Sequence, residues 1–254
     1  MQLNFFVLIF FASISLVGCS GGSSGSSGGS SDTEEDSIIL GSSVSYSFDE
    51  ETGAIAYNSE FDELHGYITA SQRSEGKVNN ALYFGDNFPS YVDFDLRNGD
   101  RDIELNFPTN ELSFSLWINF TYLDHEEEYS LFGTGKSSFS RLRLDLIDSQ
   151  FRFLFNPEIN GTASLEVVRS DFTFGVDTWY HIALTYNGEV AKVYVNGEIN
   201  AQSNLVSNIY PYSNFMMLGG GPEVQSFPGH IDEFRFSAEL NSEQEVRDYY
   251  DLTK

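Results

Sequence analysis

The chain has a single cysteine, Cys19, in 254 residues, and only 13 Lys and Arg against 38 Asp and Glu. One thiol cannot close an intrachain bridge, so a disulfide scaffold is excluded and any core must hold by packing alone. The shortage of basic residues leaves a formal net charge of -25. Such a surface repels phosphate backbones and lacks the basic patches that dominate nucleic-acid affinity, so no nucleic-acid partner is expected. Anionic polysaccharides are disfavoured for the same reason unless a divalent cation bridges the two. Long apolar runs are scarce as well. Residues 5–17 (FFVLIFFASISLV) form a stretch of signal-peptide length, short for a membrane span. No internal repeat of fixed period is present.

What surrounds the cysteine is specific. Leu16-Val17-Gly18 precedes Cys19, and residues 20–31 are only Ser and Gly. The arrangement resembles the lipobox of bacterial lipoproteins. That resemblance implies a signal peptide over 1–18, a diacylated Cys19 and a third acyl chain on the new amino terminus. One myristoyl-sized chain binds membrane only marginally, so three make an anchor that is effectively permanent. Ser20 resembles the outer-membrane sorting signal, which implies a cell-envelope location, as an outer membrane lipoprotein facing the periplasm or the exterior. An ordinary secretory signal is the alternative, and the apolar run has no Lys or Arg before it in either case. The Ser/Gly tract is a flexible coil, which residues 32–36 (DTEED) extend by self-repulsion. The expected organisation is a leader over 1–18, a lipidated tether over 19–36 and one domain over 37–254.

Within that domain the apolar pattern has period two. Phe114, Leu116, Ile118 and Phe120 alternate with polar positions in SFSLWINF, and Leu142/Leu144/Leu146, Phe151/Phe153/Phe155 and Tyr180/Ile182/Leu184/Tyr186 repeat the rhythm. Asn196-Gly197 after KVYV predicts a type I′ hairpin turn, and Asn187-Gly188 predicts a second. Many short strands with such turns make an all-β, two-sheet antiparallel jelly-roll sandwich. One short helix is expected at the carboxy terminus. Ser242 and Glu245 form a capping box, and Val246, Tyr249 and Tyr250 fall on one helical face.

SFSLWINF, WYHIALTYNG with KVYVNGE, and GHIDEFRFSAELNSEQEVRDYY, in this order, resemble the concanavalin A-like, laminin-G-type jelly rolls of bacterial surface proteins. YSFDEE and GKVNNALYFG resemble that family's first strands, so the likeness runs from about residue 44 to 251. The family hosts lectins, glycan-binding modules, hydrolases, lyases and adhesion modules, so fold alone warrants only analogy.

Glycoside hydrolysis needs two carboxylates about 5–10 Å apart. The Glu-x-Asp-x-(x-)Glu strand of the laminarinase-like relatives is missing, as are the Arg-rich strand and Gln-x-His of the alginate-lyase relatives. Asp232-Glu233 is the nearest echo, but neighbours on a regular strand point to opposite faces. Gly133-Thr134-Gly135-Lys136-Ser137 lacks the first glycine of a phosphate loop and precedes a strand. The expectation is a binding module without catalysis, with a divergent polysaccharide-degrading enzyme the last of three readings. The resemblance also implies a structural Ca2+ joining Asp232 to Asp49 and Asn58. Asp232 shares parity with Phe234 and Phe236 and should be partly buried, so either a cation or hydrogen bonds from a neighbouring loop must compensate its charge. Trp117 and Trp179 match core positions. The loop rings Tyr210, Tyr212 and Phe215, with Tyr122, are the candidate ligand residues. The expected partner is a glycan, a neutral one before an acidic one, or alternatively a protein of the envelope or exterior.

Overall fold

The computed structural model describes residues 38–40, 43–60, 64–85, 89–95, 97–98, 101–105, 111–124, 127–134, 142–148, 150–155, 158–159, 162–163, 166–204, 215–221 and 225–254. By compactness the chain divides into Met1–Glu35 and Asp36–Lys254, and the architecture that follows is that of the second unit.

Two eight-stranded sheets build a sandwich. The first runs in the order Glu198–Asn204, Val190–Val195, Trp179–Tyr186, Leu112–Phe120, Gly229–Ser237, Asn80–Tyr83, Gln72–Glu75, with Ser43–Tyr46 also paired to Gly229–Ser237. The second runs Glu166–Arg169, Gln150–Phe155, Leu142–Ile147, Tyr129–Thr134, Phe215–Leu218, Tyr91–Asp95, Gly66–Thr69, Ile55–Ala56. Every pairing within these two sheets is antiparallel. A small three-stranded sheet joins Ile38–Leu40, Arg101–Leu105 and Arg97–Asn98, and a ribbon pairs Glu158–Ile159 with Thr162–Ala163.

The period-two pattern decides which side chains face inward. Phe114, Leu116, Ile118 and Phe120 are buried in the core, together with Leu142, Leu144, Leu146, Phe151 and Phe153 from the facing sheet. Phe234 is central: its ring lies 5.5 Å from both Phe114 and Phe132, 5.6 Å from Phe94 and 6.0 Å from Tyr46. Burying each such ring contributes roughly 1.5–3 kcal/mol, which is how a chain without bridges stays folded. Asn196 and Gly197 both have positive φ, as a type I′ turn demands. At Asn187-Gly188 only the glycine does, and Asn187 Oδ1 instead accepts from the N–H groups of Glu189 and Val190. That hairpin is closed by an Asx cap rather than by a second type I′ turn.

Strand alternation fails within Gly229–Ser237. Opposite Leu112–Phe120, the register of Gly229–Ser237 shifts between Ser115 and Trp117, and Glu233 takes φ 51°. An extra residue in one strand leaves two residues opposing one. Ile231, Phe234 and Phe236 therefore all enter the core, while Asp232 leaves it for the outer face. Its expected parity with the two phenylalanines is thus broken by the bulge.

The outer face of the first sheet lies under the helix Glu243–Thr253. Ser242 and Glu245 form the expected capping box, and Val246 is buried against Ala183 and Tyr194. Trp117 stands on this face, not in the sandwich core. It is 1% exposed, its indole N–H donates to Thr253 Oγ1 at 3.0 Å, and its ring stacks 5.7 Å from Tyr250. Trp179, expected to be core, is only half-buried.

Candidate functional site

The two most exposed rings of the described residues, Tyr57 and Tyr67, lie at the edge of the second sheet. In Gly66–Thr69 and Tyr91–Asp95, Ile68, Val92 and Phe94 turn inward, so Tyr67, Thr69, Tyr91 and Asp93 face outward. The register sets Tyr67 opposite Asp93 on one side and Ile55 on the other, with Thr69 opposite Tyr91. Tyr67 and Tyr91 are diagonal neighbours, about 7–8 Å apart along the sheet. Tyr57, two residues beyond Ile55, adds a ring edge-on to His65 at 4.7 Å. Tyr57 and Tyr67 are 53% and 57% exposed.

A hydrogen-bonded frame holds this platform in place. Glu50 Oε1 accepts from the Tyr57 N–H at 2.6 Å, and its Oε2 pairs with Arg73 at 2.8 Å. Arg73 also donates to the carbonyls of Phe48 and Ile55. On the other side the Asn58 N–H donates to His65 Nδ1, and Asn58 Oδ1 accepts from the N–H groups of Ser45 and Glu60. Gly66 is required here: a Cβ would lie 2.6 Å from Val92 Cγ1 and 2.7 Å from a Phe94 ring carbon. The absence of a side chain lets this strand settle onto the core and hold Tyr67 clear of it.

Further along the same face, Asp145 is fully buried between two arginines. Arg143 Nε lies 3.1 Å from both of its oxygens, and Arg152 Nη2 lies 3.3 Å from Oδ2. Glu128 Oε1 bridges the two guanidinium groups at 3.0 and 2.6 Å. Two cations and two anions compensate one another here, and burial makes the cluster a structural brace.

The residues singled out from sequence are dispersed. Tyr122 is 44% exposed and edge-on to Tyr129 at 6.4 Å, past the end of Leu112–Phe120. Tyr210 and Tyr212 lie outside the described residues, and Phe215 is described only as a strand residue opposite Asp95. Cys19 also lies outside them.

Asp49 and Asp232 meet on one turn. Asp232 Oδ2 accepts from the N–H groups of Lys77 and Val78, both at 2.9 Å, and Oδ1 accepts from Glu233 N–H at 2.7 Å. Asp49 Oδ1 accepts from Asn80 N–H and Oδ2 from the Asn79 amide. Asn58 serves the frame under Tyr57 instead. A calcium ion needs six to eight oxygens. The carboxylates here are directed at N–H donors, and no three His, Cys, Asp or Glu among the described residues are grouped to hold a metal. These residues as placed do not fit the ion, and no role is derived for it.

Asp232 and Glu233 share the outer face because of the bulge, contrary to their expected opposition. Tyr249 Oη donates to Glu233 Oε2 at 2.5 Å. With exposures of 0% and 9% under the helix and the 76–80 turn, the pair offers no opening for a polysaccharide.

Two antiparallel sheets, one roofed by a helix and the other open at an aromatic edge, define a lectin-like jelly roll. Residues 90–247 match the profile of the concanavalin A-like lectin/glucanases superfamily, in its laminin-G form, and the chain belongs to that family. Among curated proteins it is similar to pappalysin-1 of Mus musculus, 27% identical over 107 residues that make up 38% of this chain and 7% of the relative. Among solved structures it is similar to domain 4 of an extracellular arabinanase from Geobacillus stearothermophilus, in complex with arabinotriose. That likeness has a TM-score of 0.56 and 20% identity, and it covers 81% of this chain and 96% of that one. The Trypanosoma rangeli sialidase, in complex with the inhibitor DANA, gives a TM-score of 0.60 and 15% identity over 82% of this chain and 32% of that one. The binding domain of botulinum neurotoxin serotype G gives 0.61 and 12%, over 83% and 50%. The chain thus spans about half or less of the last two, and identities this low establish the fold alone.

Proposed function

We propose that this protein is a non-catalytic module that binds neutral glycan chains at the Tyr57–Tyr67–Tyr91 edge, held at the cell envelope by acyl chains on Cys19. One observation carries the binding site: two tyrosines more than half exposed at one sheet edge, Tyr67 across from Ile55 and Tyr57 two residues beyond it, on a frame that fixes the backbone before any ligand arrives. Tyrosine faces offer apolar area at small entropic cost, and the pleated edge supplies Asp93, Thr69 and His65 as polar neighbours for hydroxyl groups. Glu51 and Glu60 are exposed nearby and Asp93 stands between the rings, a charge pattern that repels acidic sugars and tolerates neutral ones. The arabinotriose complex of the similarly folded arabinanase domain agrees with this class of ligand. The lipobox-like sequence around Cys19 supports the anchor.

Glycan-array screening followed by titration of the best neutral oligosaccharide tests the site. Tyr67→Ala and Tyr57→Ala should each weaken binding by roughly tenfold, about 1.4 kcal/mol, with the fold intact. Binding undiminished in both variants, or no binding across neutral glycans, overturns the reading. Capture of a protein in place of a glycan would move the module to the adhesion class. Radiolabelled fatty acid incorporated into the protein, and lost in Cys19→Ser, tests the anchor.

A further inference from the structure

The geometry points to a second site, on the opposite side of the sandwich: the chamber under the carboxy-terminal helix binds a small 2-hydroxycarboxylate, its carboxylate on Arg235 and its hydroxyl on the His181 ring. The chamber has a volume of about 160 Å³ and is walled by Ser115, His181, Ala183 and Arg235 of the first sheet and by Val246 and Tyr249 of the helix. That volume equals about five water molecules, enough for a small organic acid and too little for a sugar chain.

His181 is the reason to look for an occupant. It is 0% exposed, and neither ring nitrogen has a hydrogen-bond partner. The rings of Trp117, Tyr249 and Tyr250 surround it at 5.3–6.1 Å but give it neither donor nor acceptor. Buried polar atoms are almost always paired, so an imidazole with both nitrogens unsatisfied marks a missing group. Burial and the neighbouring Arg235 charge lower its pKa, so the ring is neutral and presents one N–H and one lone pair.

Of the charged and phenolic groups of the wall, Tyr249 and Glu245 are already committed and Arg235 points to an anion. Tyr249 Oη donates to Glu233, and Glu245 is held by Ser242 in the helix cap. Arg235 lies 4.0 Å over the Tyr249 ring and forms no ion pair among the described residues, in a chain where acids outnumber bases 38 to 13. A planar guanidinium left free at the mouth matches a carboxylate. A hydroxyl beside that carboxylate both donates and accepts, which is what a neutral imidazole requires. Water would satisfy His181 alone, whereas a hydroxycarboxylate also engages the exposed Arg235 guanidinium at the mouth.

Thermal unfolding of the full-length protein with sodium glycolate or lactate, against acetate and chloride, tests this site. At about 10 mM and a Kd near 1 mM, either hydroxy acid should raise Tm by roughly 3–6 °C, acetate by less, and chloride not at all. Arg235→Gln, at an exposed position, should fold, with its ligand-free Tm lowered by no more than the few degrees its stacking on Tyr249 is worth, and lose the shift. His181→Gln should erase the preference over acetate; if that variant does not fold, Arg235→Gln decides alone. No shift with any carboxylate shows a water-filled chamber and overturns the proposal. So does a shift undiminished in Arg235→Gln, or one equal for acetate and lactate. Tyr67→Ala should leave the shift intact, so failure of the glycan site and failure of this one are distinguishable.

Discussion

Two buried groups on the outer face of the first sheet titrate in opposite senses, and removing either exposes the pH dependence of the other. His181 is lowered from 6.5 to about 3, by burial first and then by the Arg235 charge. Asp232 is raised from 3.8 to about 7, by burial that outweighs its three backbone N–H bonds, with the Glu233 charge adding to the rise. Below pH 6.5 the unfolded chain takes a proton on His181 that the folded form refuses, so stability falls as pH drops toward about 3. Asp232 behaves oppositely. The folded form keeps a proton that the unfolded form releases, so the burial cost felt above about pH 7 is relieved as pH falls toward 3.8. Each pH unit within its window is worth about 1.4 kcal/mol, so at about pH 5 His181 costs about 2 kcal/mol while Asp232 has recovered nearly 3. The native protein therefore shows little slope from this pair. Between about pH 7.5 and pH 5, His181→Gln should gain about 2 kcal/mol relative to the unmodified protein, and Asp232→Asn should lose about 3. Urea unfolding at several pH values, followed by tryptophan fluorescence, reads both. Subtracting the unmodified curve removes shared contributions, such as that of His230, whose pKa burial also lowers. Curves for the variants that run parallel to the unmodified one refute the reasoning.

Other perturbations have outcomes set by the same geometry. Ser242→Ala removes the helix cap and should cost about 1 kcal/mol, read as a Tm lower by roughly 2–4 °C. Asp145→Ala leaves Arg143 and Arg152 without their buried counter-ion and should cost about 3–5 kcal/mol in urea unfolding; a loss below about 1 kcal/mol would show the brace to be idle. Gly66→Ala forces a methyl against Val92 and Phe94 and should cost about 1–3 kcal/mol while weakening glycan binding. Melting curves in chelator and in millimolar calcium should coincide, because the lone pairs of Asp232 are already met by N–H groups; a rise with calcium would mean that the 76–80 turn rearranges to make a site.

The sandwich was legible in the sequence because period two is a local signal: SFSLWINF and RLRLDL sort their own side chains without reference to a partner strand. The capping box at Ser242 was legible for the same reason. Asp232 was not, because parity counted along GHIDEFRF assumes one residue per step, and the extra residue at Glu233 is visible only against the facing strand. Trp117 was assigned to packing correctly and to the wrong layer, since nothing local says that a helix 126 or more residues later covers it. The aromatic edge went unseen although YVDFD shows Tyr91 and Asp93 on the face opposite Val92 and Phe94. Tyr67 and Tyr91 lie on separate strands and Tyr57 just past a third, and only the register sets Tyr67 diagonal to Tyr91. In NIYPYSNF, by contrast, rings cluster in the sequence itself.

The single additional residue in Gly229–Ser237 acts as a phase shifter: upstream of it odd-numbered side chains are internal, downstream even-numbered ones are. Ironing the bulge flat with Glu233 kept, and Phe234 and Phe236 held inside, would swing Asp232 in among the phenyl rings and Ile231 out; deleting Glu233 would instead restore a uniform beat with the acid still outside. A sister domain lacking the insertion can therefore keep the same acid on its 76–80 turn, and forfeits only the glutamate and the tyrosine contact that ties it to the helix.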